Sequence, residues 1–188
     1  MNILVILGHP DKKSLCGSLM KEYSRGARSS GAKVRELSLG DLRFDPVLHK
    51  GYKEIQELEP DLVEAQKSIE WADHLVFVYP NWWASFPAIL KGFFDRTILP
   101  DFAFKYTGKY TWKKFLKGKS AHLIVTMGAP ALYYRWLGSP GSKVMKASLK
   151  FCGVRPVRST VFGLIESASK ERVMRIKKKV WKKGKKLR

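Results

Sequence analysis

Three short stretches carry residue types that could do chemistry. The first, Gly8-His9-Pro10-Asp11-Lys12-Lys13-Ser14, lies between an Ile/Leu/Val run and a helical pattern. Backbone amides and the helix dipole at such a junction favour an anion, and His9, Lys12 or Lys13, and Ser14 could together hold one phosphate. A capped helix start in a solvated basic loop would have the same sequence. The second, Pro80-Asn81-Trp82-Trp83-Ala84-Ser85-Phe86-Pro87, follows another apolar run. Adjacent indoles are costly to leave in water and could wall a flat aromatic ligand, with Asn81 supplying an amide that both donates and accepts. A dimer contact or a core plug would use the same residues. The third, Thr126-Met127-Gly128-Ala129-Pro130, allows a ring system to approach the backbone closely, as an ordinary turn also would.

Other chemistries lack their residues. No G-x-G-x-x-G occurs, and Gly118-Lys119-Ser120 ends like a phosphate loop of ATPases but has Lys113 where the leading glycine belongs. The two cysteines, Cys16 and Cys152, are too few for a disulfide framework and wrongly spaced for zinc, so no metal is expected. Cys16 has no evident His partner, and His49, His74 and His122 stand singly, as satisfied surface or strand histidines do. With no triad or acid–base pair, the chemistry would fall to a bound cofactor. A phosphate loop beside an aromatic wall is the geometry that a flavin mononucleotide needs.

The elements that must position these loops follow from periodicity. Asn2–Gly8 reads as a strand buried on both faces of a parallel sheet. Ser14 caps a helix with Leu15, Leu19 and Tyr23 inward, stopped by Gly31. Lys33–Leu39 alternates as a second strand, and Gly40–Glu59 is an extended connection. Pro60 opens a helix with Leu62, Ala65, Ile69 and Ala72 inward. His74–Tyr79 is the third strand, ended by Pro80, and Pro87 opens a helix through Phe94. After a Lys- and Tyr-rich connection come a strand at Ser120–Met127, a helix at Pro140–Cys152, a strand at Val157–Leu164 and a helix at Ser167–Lys183. Strands alternating with helices specify an α/β fold with right-handed crossovers. We expect a flavodoxin-like three-layer sandwich, with a five-stranded parallel sheet of order 2-1-3-4-5 and helices on both faces. Its ligand site would lie beyond the carboxyl ends of strands 1 and 3, where the three loops fall.

The 188 residues suit one domain spanning 1–188, with a basic helix or tail at about 167–188. A hydrophobic fraction of 45% excludes wholesale disorder. No apolar run approaches the ~18–20 residues that span a bilayer, and no basic region precedes the first strand. A cytoplasmic setting is expected. The formal net charge is +20, and Lys170 to Arg188 holds eleven basic residues against Glu171 alone. Such a field attracts nucleic acid, lipid headgroups or phosphorylated small molecules. The tail reads as the sheet-covering last helix, loosened at Gly184, whose charged face could add peripheral contact with an anionic membrane. Nucleic acid is disfavoured, because no recognition motif is present and Trp82 and Trp83 suit a flavin better.

Gly8-His9-Pro10 with Ser14-Leu15-Cys16, Ala72–Phe77, Pro80–Trp83 and Phe86–Arg96 resemble the flavodoxin-like NAD(P)H:quinone oxidoreductases. That group includes DT-diaphorase-type enzymes, modulators of drug activity and ancillary subunits of potassium-efflux systems. The likeness continues through Phe102–Tyr106, Thr126-Met127-Gly128 and Phe151-Cys152-Gly153. It implies a flavin, FMN rather than FAD, that takes hydride from NADH or NADPH and reduces a quinone in ping-pong fashion. It implies phosphate contacts from His9, Ser14, Leu15 and Cys16, and ring contacts from Pro80, Asn81, Trp82, Trp83 and Ala84. Thr126, Met127, Gly128 and Ala129 would follow the ring's edge, with Tyr133 near its polar end. Tyr106 would line the substrate pocket, often across a homodimer interface. Cys16 replaces a common Asn, Met127-Gly128-Ala129 replaces Thr-Gly-Gly, and a proton-delivering histidine after Tyr134 has no counterpart. A regulatory flavoprotein subunit of a potassium-efflux transporter would share these motifs; a flavin-free nucleic-acid-binding module would not need them.

Overall fold

The Ile-, Leu- and Val-rich runs become a parallel sheet covered on both faces in the computed structural model, which describes residues 1–187. β1 (Asn2–Leu7) pairs with β2 (Lys33–Ser38) and β3 (His74–Pro80); β6 (Ser120–Thr126) joins β3 to β7 (Val157–Phe162). The spatial order β2-β1-β3-β6-β7 is the expected 2-1-3-4-5 when only the strands of this sheet are counted. Alternation within each strand divides the core. Ile3, Val5, Leu7, Val76 and Val78 face α1 (Leu15–Arg28) and α6 (Lys170–Lys185). Leu4, Ile6, Leu75, Phe77 and Leu123 face α2 (Pro60–Trp71), α3 (Ala88–Thr97) and α5 (Pro140–Phe151).

Two elements of the connections are absent from the sequence reading, besides a short 3-10 turn at Leu39–Asp41. The Lys- and Tyr-rich connection contains an antiparallel hairpin, β4 (Phe104–Tyr106) with β5 (Trp112–Lys114). Trp112 secures it, stacking on Phe151 with centroids 4.7 Å apart and donating from Nε1 to the Phe151 carbonyl at 3.0 Å. A short α4 (Ala131–Trp136) follows the third loop. The buried Tyr134 hydroxyl anchors it by accepting from the Ser142 amide at 2.9 Å.

The last helix starts later than expected, at Lys170, where the Ser169 hydroxyl accepts from the Arg172 amide. Gly184 does not loosen it. A side chain at Gly184 would meet the Tyr23 carbonyl at 2.1 Å, and one at Gly26 would meet the Trp181 carbonyl at the same distance. The two glycines therefore let α1 and α6 touch backbone to backbone. On the opposite layer, the buried Arg96 guanidinium ties down the extended connection. It donates to the Asp45 and Glu57 carbonyls at 2.6 and 2.7 Å and pairs with Glu59 at 3.0 Å. Burial raises the Glu59 carboxyl, but the Asp45 amide and Arg96 outweigh it and hold the group below its usual range.

Candidate functional site

The three loops meet at the carboxyl edge of the sheet. After β1 the chain turns on itself: the Asp11 amide donates to His9 Nδ1 at 2.9 Å and the Lys13 amide to Asp11 Oδ1 at 2.7 Å. With Nδ1 accepting, Nε2 is the ring nitrogen left to donate to an anion. Ser14 then caps α1, its hydroxyl accepting from the Gly17 amide. The Leu15 and Cys16 amides have no intrahelical acceptor in this first turn. Lys12 is held by Asp41 at 2.8 Å, so Lys13 is the lysine left for an anion.

The second loop is a tight turn. Trp82 and Ser85 exchange backbone hydrogen bonds at 3.0 and 2.9 Å, while Trp83 and Ala84 between them have φ of 50° and 59°. Two successive non-glycine residues in the left-handed region carry a local cost. The Ala84 carbonyl is fixed by the Gly141 amide at the start of α5, 2.9 Å away. Trp83 projects entirely into solvent, and half-exposed Trp82 meets the edge of His9 with centroids 5.4 Å apart. Pro80 closes β3 beneath them, and the Asn81 amide donates to the Thr126 carbonyl at 2.7 Å, joining the second loop to the third.

Cys16 joins the first loop to the third from below. Its Sγ lies 3.2 Å from Thr126 Oγ1, and burial pushes the thiol up to about 11. It is a strut, since nucleophilic sulfur requires the thiolate. Buried Met127 donates from its amide to the Phe162 carbonyl, leaving Gly128 and Ala129 at the surface. A side chain at Gly128 would meet the Glu166 carboxylate at 2.9 Å.

The sequence matches the flavodoxin-like fold family over residues 1–183. The chain belongs to this family. A mouse (Mus musculus) relative named ribosyldihydronicotinamide dehydrogenase [quinone] is 30% identical, covering 96% of this chain and 92% of its own. The crystal structure of Smu.1420 from Streptococcus mutans UA159 is 31% identical, with a TM-score of 0.85 over 99% of this chain and all of that one. An FMN-dependent NADH-azoreductase from Bacillus anthracis, solved with FMN, shares the fold at 20% identity and a TM-score of 0.77, covering 99% and 98% of the two chains.

The residues of this flavodoxin-like edge fit a flavin. Asn81 Oδ1 is buried without a hydrogen-bond donor, as an acceptor awaiting a ligand N–H would be. A phosphate would find unpaired amides at the start of α1, and a ring system would find Trp82 on one side and Gly128–Ala129 at its margin. The two candidate tyrosines have different neighbours. Half-exposed Tyr133 stacks on Trp136 on α4, with centroids 6.0 Å apart, whereas Tyr106 packs on Phe104 and Phe151 of the hairpin and α5.

Three side chains beside the loops escaped sequence reasoning. Glu166, the acid over the third loop, comes from beyond β7, and nothing in its neighbourhood marks it. Trp136 and Leu132 extend the exposed apolar surface beside Tyr133. Their i, i+4 spacing is a helical signal, but a six-residue helix is too short for periodicity to disclose.

Proposed function

We propose that the protein is a flavin-dependent NAD(P)H dehydrogenase acting on quinones or similar acceptors, with FMN as the flavin. The meeting of three loops at one sheet edge, with Asn81 Oδ1 buried and unpartnered there, carries this reading; the quinone dehydrogenase named among the relatives and the FMN-bound neighbour support it. Flavin, when bound, supplies two-electron chemistry between a nicotinamide and a quinone. The chain's part is to hold and shield it. His9, Lys13 and the amides of Leu15 and Cys16 would anchor the phosphate under Ser14. Asn81 would fix the ring's orientation, and Pro80, Trp82, Trp83 and Ala84 would exclude water from it. Thr126, Met127, Gly128 and Ala129 would run along its edge, with Tyr133 at its polar end.

We further propose that Tyr106 acts across a homodimer. It borders a groove of about 520 Å³ shared by α3, the hairpin and α5, with Phe86 at the end nearer the second loop. A second protomer docked there would carry Tyr106 to its partner's flavin edge. The deciding experiment is an anaerobic visible spectrum of the chain reconstituted with FMN, and in parallel with FAD, before and after NADPH. A flavin band that bleaches and then returns on adding quinone supports the assignment. Failure to bind either flavin would remove the enzyme reading and leave the fold intact.

A further inference from the structure

The last helix is the most charged element of the chain and the least neutralised. None of the ion pairs among the described residues includes a residue of α6. Burial, with Lys179 and Arg158 nearby, holds Lys183 below the ordinary lysine range, so like charges crowd this side of the helix. The α6 backbone is immobilised all the same. Ile176 and Val180 are buried, Gly184 locks onto α1, and Ser30 Oγ donates to the Lys185 carbonyl. Lys178, Lys182 and Lys185, four and three residues apart, consequently form one exposed crest. One row toward α1, largely exposed Met174 and mostly buried Trp181 line a hollow with Arg25, Lys177, Lys178 and Glu22, whose carboxylate is paired with Arg25. The Lys185 ammonium lies 5.4 Å over the Trp181 ring.

We propose that the crest of α6 is a docking surface for an anionic lipid bilayer. A convex helix presenting lysines, with a methionine and an indole at their margin, matches a plane that has negative charge outside and hydrocarbon just beneath. A nucleic-acid strand would instead need rings on which to stack its bases. The largely exposed rings Trp83, Tyr110 and Trp136 belong to the carboxyl edge and the hairpin, and the one ring beside the crest, Trp181, is mostly buried. The helix lies in the layer opposite α3 and α5, so a partner seated there leaves it uncovered. Docking needs no bound flavin, so it is tested independently of the redox activity.

The test is co-sedimentation of the full chain with vesicles of phosphatidylcholine alone, or with about a quarter phosphatidylglycerol. The chain should pellet only with the anionic vesicles and be released by roughly 0.5 M salt. A surface lysine is worth about fivefold in partitioning, so the combined Lys178→Glu, Lys182→Glu and Lys185→Glu variant should lose at least roughly 100-fold. The corresponding Gln variant, which adds no negative charge to the helix, should fall between the two. Met174→Ser should cost about threefold without altering the salt dependence. All four side chains lie outside the proposed flavin site, so turnover of a water-soluble quinone should not change. Equal binding to neutral vesicles, no binding to anionic ones, or wild-type binding by the Glu and Gln variants would each overturn the proposal. So would tighter retention on single-stranded DNA at the same salt, which would assign the crest to a different polyanion.

Discussion

Trp83 stands in water on a left-handed backbone, and Trp82 beside it leans on His9 with half its surface open. Neither indole supports the core, so the combined Trp82→Ala and Trp83→Ala variant should melt within about 3 °C of the parent. Flavin affinity should nevertheless fall by roughly 10- to 100-fold, since a ring stack is worth about 0.5–1.5 kcal/mol per aromatic pair beyond its buried area. Fluorescence titration with FMN would measure this, and unchanged affinity would remove both rings from the site. A different residue should govern acid stability. His74 is buried with Nδ1 2.7 Å from Ser120 Oγ, and burial, aided by Arg158, lowers its pKa to about 4. In the unfolded chain it would titrate near 6.5. Between these values the unfolded state binds more protons, so stability is full above pH ~6.5, falls with pH and levels off near pH ~4. The loss from about pH 7 to 5, where carboxylates remain ionised, should be about 2 kcal/mol. Urea unfolding should show that slope in the wild type and a flatter one in His74→Asn. An equal slope in both would transfer the effect to other groups.

Elements were legible where their own residues determine them. Alternating cores and caps gave the five sheet strands and most helices, because burial on two faces leaves a continuous apolar run and Ser14 or Pro60 marks a start. The hairpin was hidden because its three-residue strands owe their pairing to Trp112 stacking on distant Phe151. The three loops were legible as a set from strand order, whereas Glu166 depends on a close approach that spacing does not encode. Gly184 was misread for a related reason. A lone glycine inside a helix looks like a weak point unless the helix facing it is known. Since both glycines sit against opposing carbonyls, Gly184→Ala and Gly26→Ala should each cost about 2–4 kcal/mol by forcing α1 and α6 apart. Chemical denaturation would check this. A neutral or stabilising alanine at either position would restore the reading of Gly184 as a flexible joint.

The whole molecule presents two unlike sides, and the difference bears on its assembly. α1 and α6 offer lysine to solvent, whereas the opposite layer holds a groove lined by Phe86, Phe94, Phe104 and Phe151 and bordered by largely exposed Tyr52 and Tyr106. Aromatic rings gathered in a surface groove, beside a largely exposed tyrosine, favour a second copy as the occupant. Val144 lies on the wall of this groove with half its surface exposed, so Val144→Asp should leave the protomer folded while placing a charge in a dry interface. Sedimentation should then show a dimer in the wild type and a monomer in the variant. The variant should retain flavin, because the proposed phosphate and ring contacts all come from one chain, but lose roughly tenfold or more in quinone turnover if Tyr106 acts across the dimer as proposed. Tyr106→Ala should lower turnover with the dimer intact, separating the side chain from the assembly. A wild-type chain that sediments as a monomer at full turnover would instead return Tyr106 to its own protomer and leave the aromatic groove as a ligand pocket.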